Sequence, residues 1–419
     1  MLNTLKNKTH RFLIWSQKYT QTDNIYLARG GFWLTLEQAV STVSGFLLAV
    51  AFANLLPPAT YGTYRYILSL TGIFGVFALS GIKIAIVQAA ARGLEGSFYT
   101  GFKTKLKWGT LGSLVAVVGA VYYWLQGNSL LPIPLLITAI FLPLMLASHV
   151  YGGFLAGRKL FGVGATYGII TNLVSVAGMV IALFLTKNLL WLIAVYFVSN
   201  TFLNYFFYLW TKFKLQPNKK EDGQTISYGK HLSFMGILGR ATKEIDKVIV
   251  FTFIGPVEVA IYSFAVLIPT QISDILTNVS SIALPKLAVT SPKEIRKNLM
   301  KKVWKLFILV GIIIVIYVII APPFYKIFFP QYLISVPYSQ LFALSLVAFP
   351  AFFLTNVFRA KMMKTELYLL RAVDALKLVL LVALVPFFGV LGAVLALLGT
   401  QIIKGIIIFF LFYLRFKPV

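Results

Sequence analysis

The sequence predicts an all-α polytopic membrane protein: about 12 transmembrane helices in two six-helix lobes around a central cavity. Three observations predict it. Of 419 residues, 59% are hydrophobic and only 12% charged, with a mean hydropathy of +0.84, well outside the range of soluble domains. The apolar residues come in runs of about 20, the length a helix needs to cross about 30 Å of hydrocarbon, whereas a β-barrel would show short alternating strands. Basic residues gather in alternate joints between those runs.

In chain order, residues 1–30 read as a cytoplasmic segment without a removable signal peptide, because no apolar core there precedes a small-residue cleavage site. Its stretch LKNKTHRFLIW is either a basic amphipathic surface segment or a solvated tail. The first lobe, 31–211, contains spans near 32–56, 64–90, 108–126, 131–155, 163–186 and 188–211. A polar cytoplasmic joint, KFKLQPNKKEDGQTISYGK at 212–230, separates it from the second lobe, 231–419. That lobe has apolar spans near 257–284, 303–321, 337–358, 367–388 and 389–413.

Hydropathy is ambiguous for the segment 231–255, which carries Arg240, Lys243, Glu244, Asp246 and Lys247. Loop charge decides. If that segment crosses, the loops on one side hold 29 Lys and Arg, and the other side has Arg65, Lys187 and Lys326. The imbalance places both termini in the cytoplasm of a multi-pass protein of the cell's cytoplasmic (inner) membrane. It also accounts for most of the net charge of +26 as topology, so nucleic acid is not an expected partner. Pro58 and Pro256 each follow the first helix of a lobe, and each is followed by Tyr six residues on and an aromatic residue two further. The shared pattern indicates an internal duplication of six helices, the arrangement of transporters with a site between repeats.

A charge at the bilayer centre costs about 2.5–3.5 kcal/mol, so intramembrane charges face protein or water. Arg240, Lys243, Glu244 and Lys247 share one helical stripe, with Asp246 at its edge. Glu37, Lys83, Asp274, Asp374, Lys377 and Lys404 lie in other spans. Glu37 recurs with Ser41 and Ser44, and Asp274 with Thr270, Asn278 and Ser281, so each gives its helix one polar face. The basic candidates for an anionic ligand are Lys83, Arg240, Lys243, Lys247, Lys377 and Lys404. The carboxylate candidates for ion coupling are Glu37, Glu244, Asp246, Asp274 and Asp374. Mutual pairing is the competing reading, with Arg240–Glu244, Lys243–Asp246 and Asp374–Lys377 within reach on their own helices. Lys83 and Lys404 have no acidic neighbour at helical spacing, which favours them as anion ligands, with snorkelling as the alternative. His149 reads as a packed or interfacial histidine, and Tyr64, Tyr66 and Tyr262 as interface anchors rather than sugar-stacking rings.

Four stretches carry a resemblance: ANLLPPATYGTYRYILSLTGIFGVFALSGIKIAIVQAAARG, EIDKVIVFTFIGPVEVAIYSFA, SIALPKLA before a basic loop, and FYKIFFPQYLISVPYSQLFALS. They resemble bacterial polysaccharide flippases for O-antigen or capsule, the Wzx-type branch of the multidrug, oligosaccharidyl-lipid and polysaccharide exporter superfamily. The resemblance implies a transporter that turns a lipid-linked oligosaccharide, carried on polyprenyl pyrophosphate, from the cytoplasmic to the outer leaflet by alternating access. It implies membrane lipids, polysaccharide polymerase and glycosyltransferases as neighbours, and a coupling ion, H+ or Na+.

Absent motifs narrow the classes. There is no G-x-x-x-x-G-K-[ST] loop, D-x-D pair or H-E-x-x-H motif, and no cysteine. No cofactor, metal or catalytic residue is expected, and the protein reads as not an enzyme. The alternative is a cation-coupled exporter of drugs or small molecules from the same superfamily, which would favour an acidic, aromatic cavity.

Overall fold

The computed structural model describes residues 24–281 and 292–415, and they form helices with no strand among them. The expected basic N-terminal surface segment and most of the SIALPKLA stretch lie outside the described residues. The α-helices are α1 (Asn24–Leu55), α2 (Pro58–Phe74), α3 (Ile82–Ala91), α4 (Ser97–Leu125), α5 (Pro132–Ser148), α6 (Val150–Gly157), α7 (Phe161–Leu185) and α8 (Leu189–Leu215). They continue as α9 (Gly223–Met235), α10 (Ile237–Phe253), α11 (Pro256–Ser281), α12 (Pro292–Phe328), α13 (Ser335–Ala343), α14 (Phe349–Ala360) and α15 (Lys364–Arg415).

Among the described residues nine helices are long and apolar enough to cross a membrane, or ten when the bent pair Pro58–Ala78 and Ile82–Ala91 is one span. One further crossing of the expected twelve is hidden inside α15. The 52 residues of α15 are interrupted at Gly389, where φ is 59° and ψ is −134°. A straight helix of that length would reach about 78 Å, far beyond one bilayer. Instead Lys404 touches Asp374 and Arg415 touches Glu366. Such contacts require the chain to double back at Gly389, whose positive φ a side chain would disfavour. The expected seventh span, 231–255, is divided at Gly236 into the short α9 and the charged α10, and neither is among the nine long apolar helices. Proline punctuates the rest as the pattern anticipated: Pro58 opens α2 and Pro256 opens α11, where a missing N–H costs nothing.

Apolar side chains cover the outside. Leu185 is 81% exposed and Phe387 83%, a disposition that hydrocarbon favours and water would penalise. The helices group into two compact units. The first comprises 24–49, Phe74–Thr186 and Leu190–Met235; the second comprises Val50–Ile73, Lys187–Leu189 and 236–415.

In the first unit Phe98 and Phe102 of α4 stack on Tyr208 of α8, at 4.9 and 4.2 Å between ring centroids. Tyr167 of α7 stacks on Phe207 at 4.2 Å. The N–H of Gly81 donates to Ser233 Oγ at 2.9 Å, tying α9 to the start of α3. Asp222 caps α9, accepting from the Thr225 N–H at 2.7 Å and also from its hydroxyl.

A charged clasp fastens the polar joint to the same unit. Glu95 receives Arg158 Nε at 2.5 Å and a second guanidinium nitrogen at 2.7 Å, and the Asn218 N–H at 2.9 Å. Arg158 also donates to the Leu215 carbonyl at 3.2 Å. Burial pushes the Glu95 carboxyl up, but the Arg158 and Asn218 hydrogen bonds outweigh it and hold the group below its ordinary 4.5. A depressed carboxyl stabilises the fold above its unfolded-state value and loses that contribution as pH falls through the folded one. The melting temperature of the purified protein is therefore expected to drop below about pH 4.5. In Arg158→Gln the acid step should shrink, because Glu95 then titrates nearer its ordinary value. An acid step of unchanged size in that variant would remove the clasp from the account.

Candidate functional site

Each unit contains a polar cavity. In the second unit a cavity of about 730 Å³ is walled by α2, α10, α11 and α15. Its lining includes six basic residues, Arg65, Lys243, Lys247, Arg371, Lys377 and Lys404, against four acidic ones, Glu244, Asp246, Asp274 and Asp374. The wall therefore carries a formal excess of two positive charges.

The stripe on α10 orders most of these charges. Asp246 is 4% exposed and accepts from the Tyr262 hydroxyl at 2.5 Å. Lys377 and Lys247 stand 3.7 and 3.8 Å from its carboxylate. Lys247 reaches on to Glu244 at 3.1 Å, and the Ser69 hydroxyl donates to the same carboxylate at 3.2 Å. Lys377 also donates to the Thr242 carbonyl at 2.7 Å. In a second group Asp374 is held by Lys404, in direct contact, and by Arg371 at 3.9 Å.

The expected same-helix pairs are thus replaced. Lys247 rather than Arg240 serves Glu244, Asp246 pairs with Lys247 and the distant Lys377 rather than Lys243, and Asp374 pairs with Arg371 and Lys404 rather than Lys377. Lys404 has an acidic partner after all, across the α15 hairpin. Sequence spacing could not show it, because the two residues meet only once the chain reverses. Arg65, Lys243 and Asp274 remain on the wall without a hydrogen bond or ion pair to a described residue. Arg65 Nε is buried and makes no hydrogen bond. Arg240 is exposed and stands outside the lining.

The three tyrosines read as interface anchors are core residues instead. Tyr64 is 3% exposed, Tyr66 2% and Tyr262 0%. Tyr66 stacks on Phe251 at 3.8 Å, and Tyr262 spends its hydroxyl on Asp246. Each ring buries its apolar body and, for Tyr262, finds a polar partner, which makes the core a better place than the interface.

In the first unit a cavity of about 470 Å³ brings together Glu37 and Ser41 of α1, Lys83 of α3, Asn172 of α7, and Asn200 and Asn204 of α8. His149, between α5 and α6, lines it too rather than packing away from it. Asn172 donates to Ser41 at 3.2 Å and accepts from Ser44, so the polar face of α1 is used as its spacing indicates. Lys83 is exposed to this space and makes no ion pair with a described residue.

Sequence reasoning missed several lining residues. Arg65 and Arg371 enter the sequence reading only through the loop-charge count. Asn200 and Asn204, four apart on α8, carried a usable signal: two amides on one face of an apolar helix. No group of three or more acidic or histidine side chains suited to a metal ion occurs among the described residues.

Bilayer-length helices enclosing polar, charged cavities beneath an apolar exterior define a multi-pass membrane protein. Residues 27–291 match the model of the polysaccharide biosynthesis protein family, and the chain belongs to that family. Among solved structures it is similar to an inward-facing conformation of a multidrug resistance MATE family transporter of the MOP superfamily. The TM-score there is 0.67 at 11% identity, covering 90% of this chain and 94% of that one. An outward-facing conformation of such a transporter gives 0.58 at 12%, covering 94% and 96%. The lipid II flippase MurJ in an inward closed conformation gives 0.66 at 15%, covering 90% and 86%. At these identities the likeness is one of fold. No curated protein sequence matches the chain.

Proposed function

We propose that the protein flips a lipid-linked oligosaccharide, carried on a polyprenyl diphosphate, from the cytoplasmic to the outer leaflet for surface polysaccharide biosynthesis. The observation that carries this reading is the positively charged cavity of the second unit, in a chain of the polysaccharide biosynthesis family. A diphosphate is a compact anion that guanidinium and ammonium groups bind through charge-assisted hydrogen bonds. Arg65 and Lys243 have that capacity to spare, while Lys247, Lys377, Lys404 and Arg371 are engaged by carboxylates. The polyprenyl tail stays in lipid, and alternating access exposes the head group to each side in turn.

Coupling to H+ or Na+ belongs to the same proposal. Asp274 and Glu37 carry no ion pair with a described residue and line the two cavities, one in each unit. Glu244, Asp246 and Asp374 are held by cations and are poorly placed to exchange one. Polymerase and glycosyltransferases of the same pathway would act on the two sides of the step.

Deleting the gene tests the reading: a specific surface polysaccharide should disappear while its lipid-linked precursor accumulates inside. Complementation with Lys243→Ala should restore membrane protein but lower export about tenfold or more, since a hydrogen bond to a charged group is worth about 1.5–3 kcal/mol. Normal surface polysaccharide in the deletion strain would refute the proposal.

A further inference from the structure

The two cavities differ in how their polar groups are spent. In the second unit, carboxylates and cations are largely engaged with each other. In the first, Glu37, Lys83 and His149 line about 470 Å³ of space, and none of their side chains makes a hydrogen bond or ion pair with a described residue. Asn200 gives one amide hydrogen to the Tyr196 carbonyl at 2.9 Å, and its Oδ1 accepts nothing from the described residues. Polar groups placed inside an apolar bundle and left unpaired are an expense that folding alone does not justify. They make sense if a ligand completes them.

Their kinds specify the ligand. Glu37 and the Asn200 oxygen accept, Lys83 donates, and a neutral His149 does either. The formal charges of Glu37 and Lys83 cancel. Apart from a small coupling ion, an organic anion would be opposed by Glu37 and an organic cation by Lys83, so neither suits the wall as a whole. A ligand dense in hydroxyl groups, each both donor and acceptor, matches every one of these groups without bringing a charge. The volume lies within the range of about 300–1,000 Å³ that small-ligand sites occupy.

We propose that the cavity of the first unit is a saccharide subsite that takes uncharged sugar residues of the transported glycan. This rests on the flippase reading for its source of sugar but not for its chemistry. Glu37 and Asn200 select hydroxyl donors, Lys83 binds hydroxyl or amide oxygens, and specificity for the glycan resides here rather than at the charged cavity of the second unit.

The test is saturation-transfer NMR on the purified full chain in detergent. The probes are methyl glycosides of a neutral hexose and of an N-acetylhexosamine, together with glucuronate, glucosamine and inorganic pyrophosphate. The neutral glycosides should bind on the scale of about 1 mM, and Glu37→Gln and Asn200→Ala should each weaken them about tenfold, with melting temperatures confirming that both variants fold. Preferential binding of glucuronate, glucosamine or pyrophosphate at a site sensitive to those substitutions would overturn the proposal. So would the absence of neutral-glycoside binding by the unmodified protein up to about 50 mM, far above the affinity expected. Failure here alongside normal flipping of a lipid-linked glycan removes the subsite and leaves the function standing. Glycoside binding without any flipping removes the function and keeps the sugar site.

Discussion

Asp246→Ala is expected to abolish accumulation of folded protein in the membrane. The carboxylate lies 4% exposed, with Lys377 and Lys247 at 3.7 and 3.8 Å and the Tyr262 hydroxyl at 2.5 Å. Removing it leaves Lys247 with Glu244 alone, Lys377 with only the Thr242 carbonyl, and the Tyr262 hydroxyl without its acceptor. Breaking a buried ion pair from one side costs about 3–5 kcal/mol, because the surviving charge is left uncompensated. That is a large fraction of the stability of a typical domain. Adding Lys377→Met should restore part of the yield, since replacing both partners costs less than removing one. Yield and melting temperature in detergent, read for the single and double variants, check this. Equal losses in both would deny the pairing.

Gly62→Val should be as damaging for a steric reason. The two stretches that share the Pro–Tyr–aromatic pattern open α2 and α11, and they pack directly on each other within the second unit. A Cβ at Gly62 would overlap the carbonyl oxygen of Pro256. Tyr61 lies 5.1 Å from the Phe264 ring and 6.4 Å from Tyr332. The obstacle is backbone, which cannot rotate away, so the helices must separate and open this aromatic cluster. Overpacking ordinarily costs about 1–3 kcal/mol, and a backbone collision belongs at or beyond the top of that range. Gly45→Val supplies the control, because a Cβ there meets nothing within 4 Å. Similar losses at both positions would mean that helix propensity, rather than the close approach, sets the cost.

How much of this was legible in the sequence depends on the range of the interaction. Helix existence follows from apolar run length, and the Pro58 and Pro256 starts follow from the fixed φ of proline. The polar faces containing Glu37 with Ser41 and Thr270 with Asp274 follow from helical periodicity, and both reach cavities. Pairings that cross the chain did not follow from spacing. Lys377 meets Asp246 from another helix and Lys404 meets Asp374 only through the reversal at Gly389. Arg65 and Arg371 are not legible as cavity residues because a loop-charge count assigns a residue by its window, whereas long side chains near a helix end reach inward as readily as outward. The break at Gly236 was hidden by α10, whose charges already lowered the hydropathy of that span.

Flipping is tested most directly with the purified chain in proteoliposomes, using a polyprenyl diphosphate that bears a neutral oligosaccharide. Transfer between leaflets is expected, falling about tenfold or more in Lys243→Ala, the loss expected for a charged hydrogen bond. Transfer of organic cations with no movement of the lipid-linked glycan would contradict it.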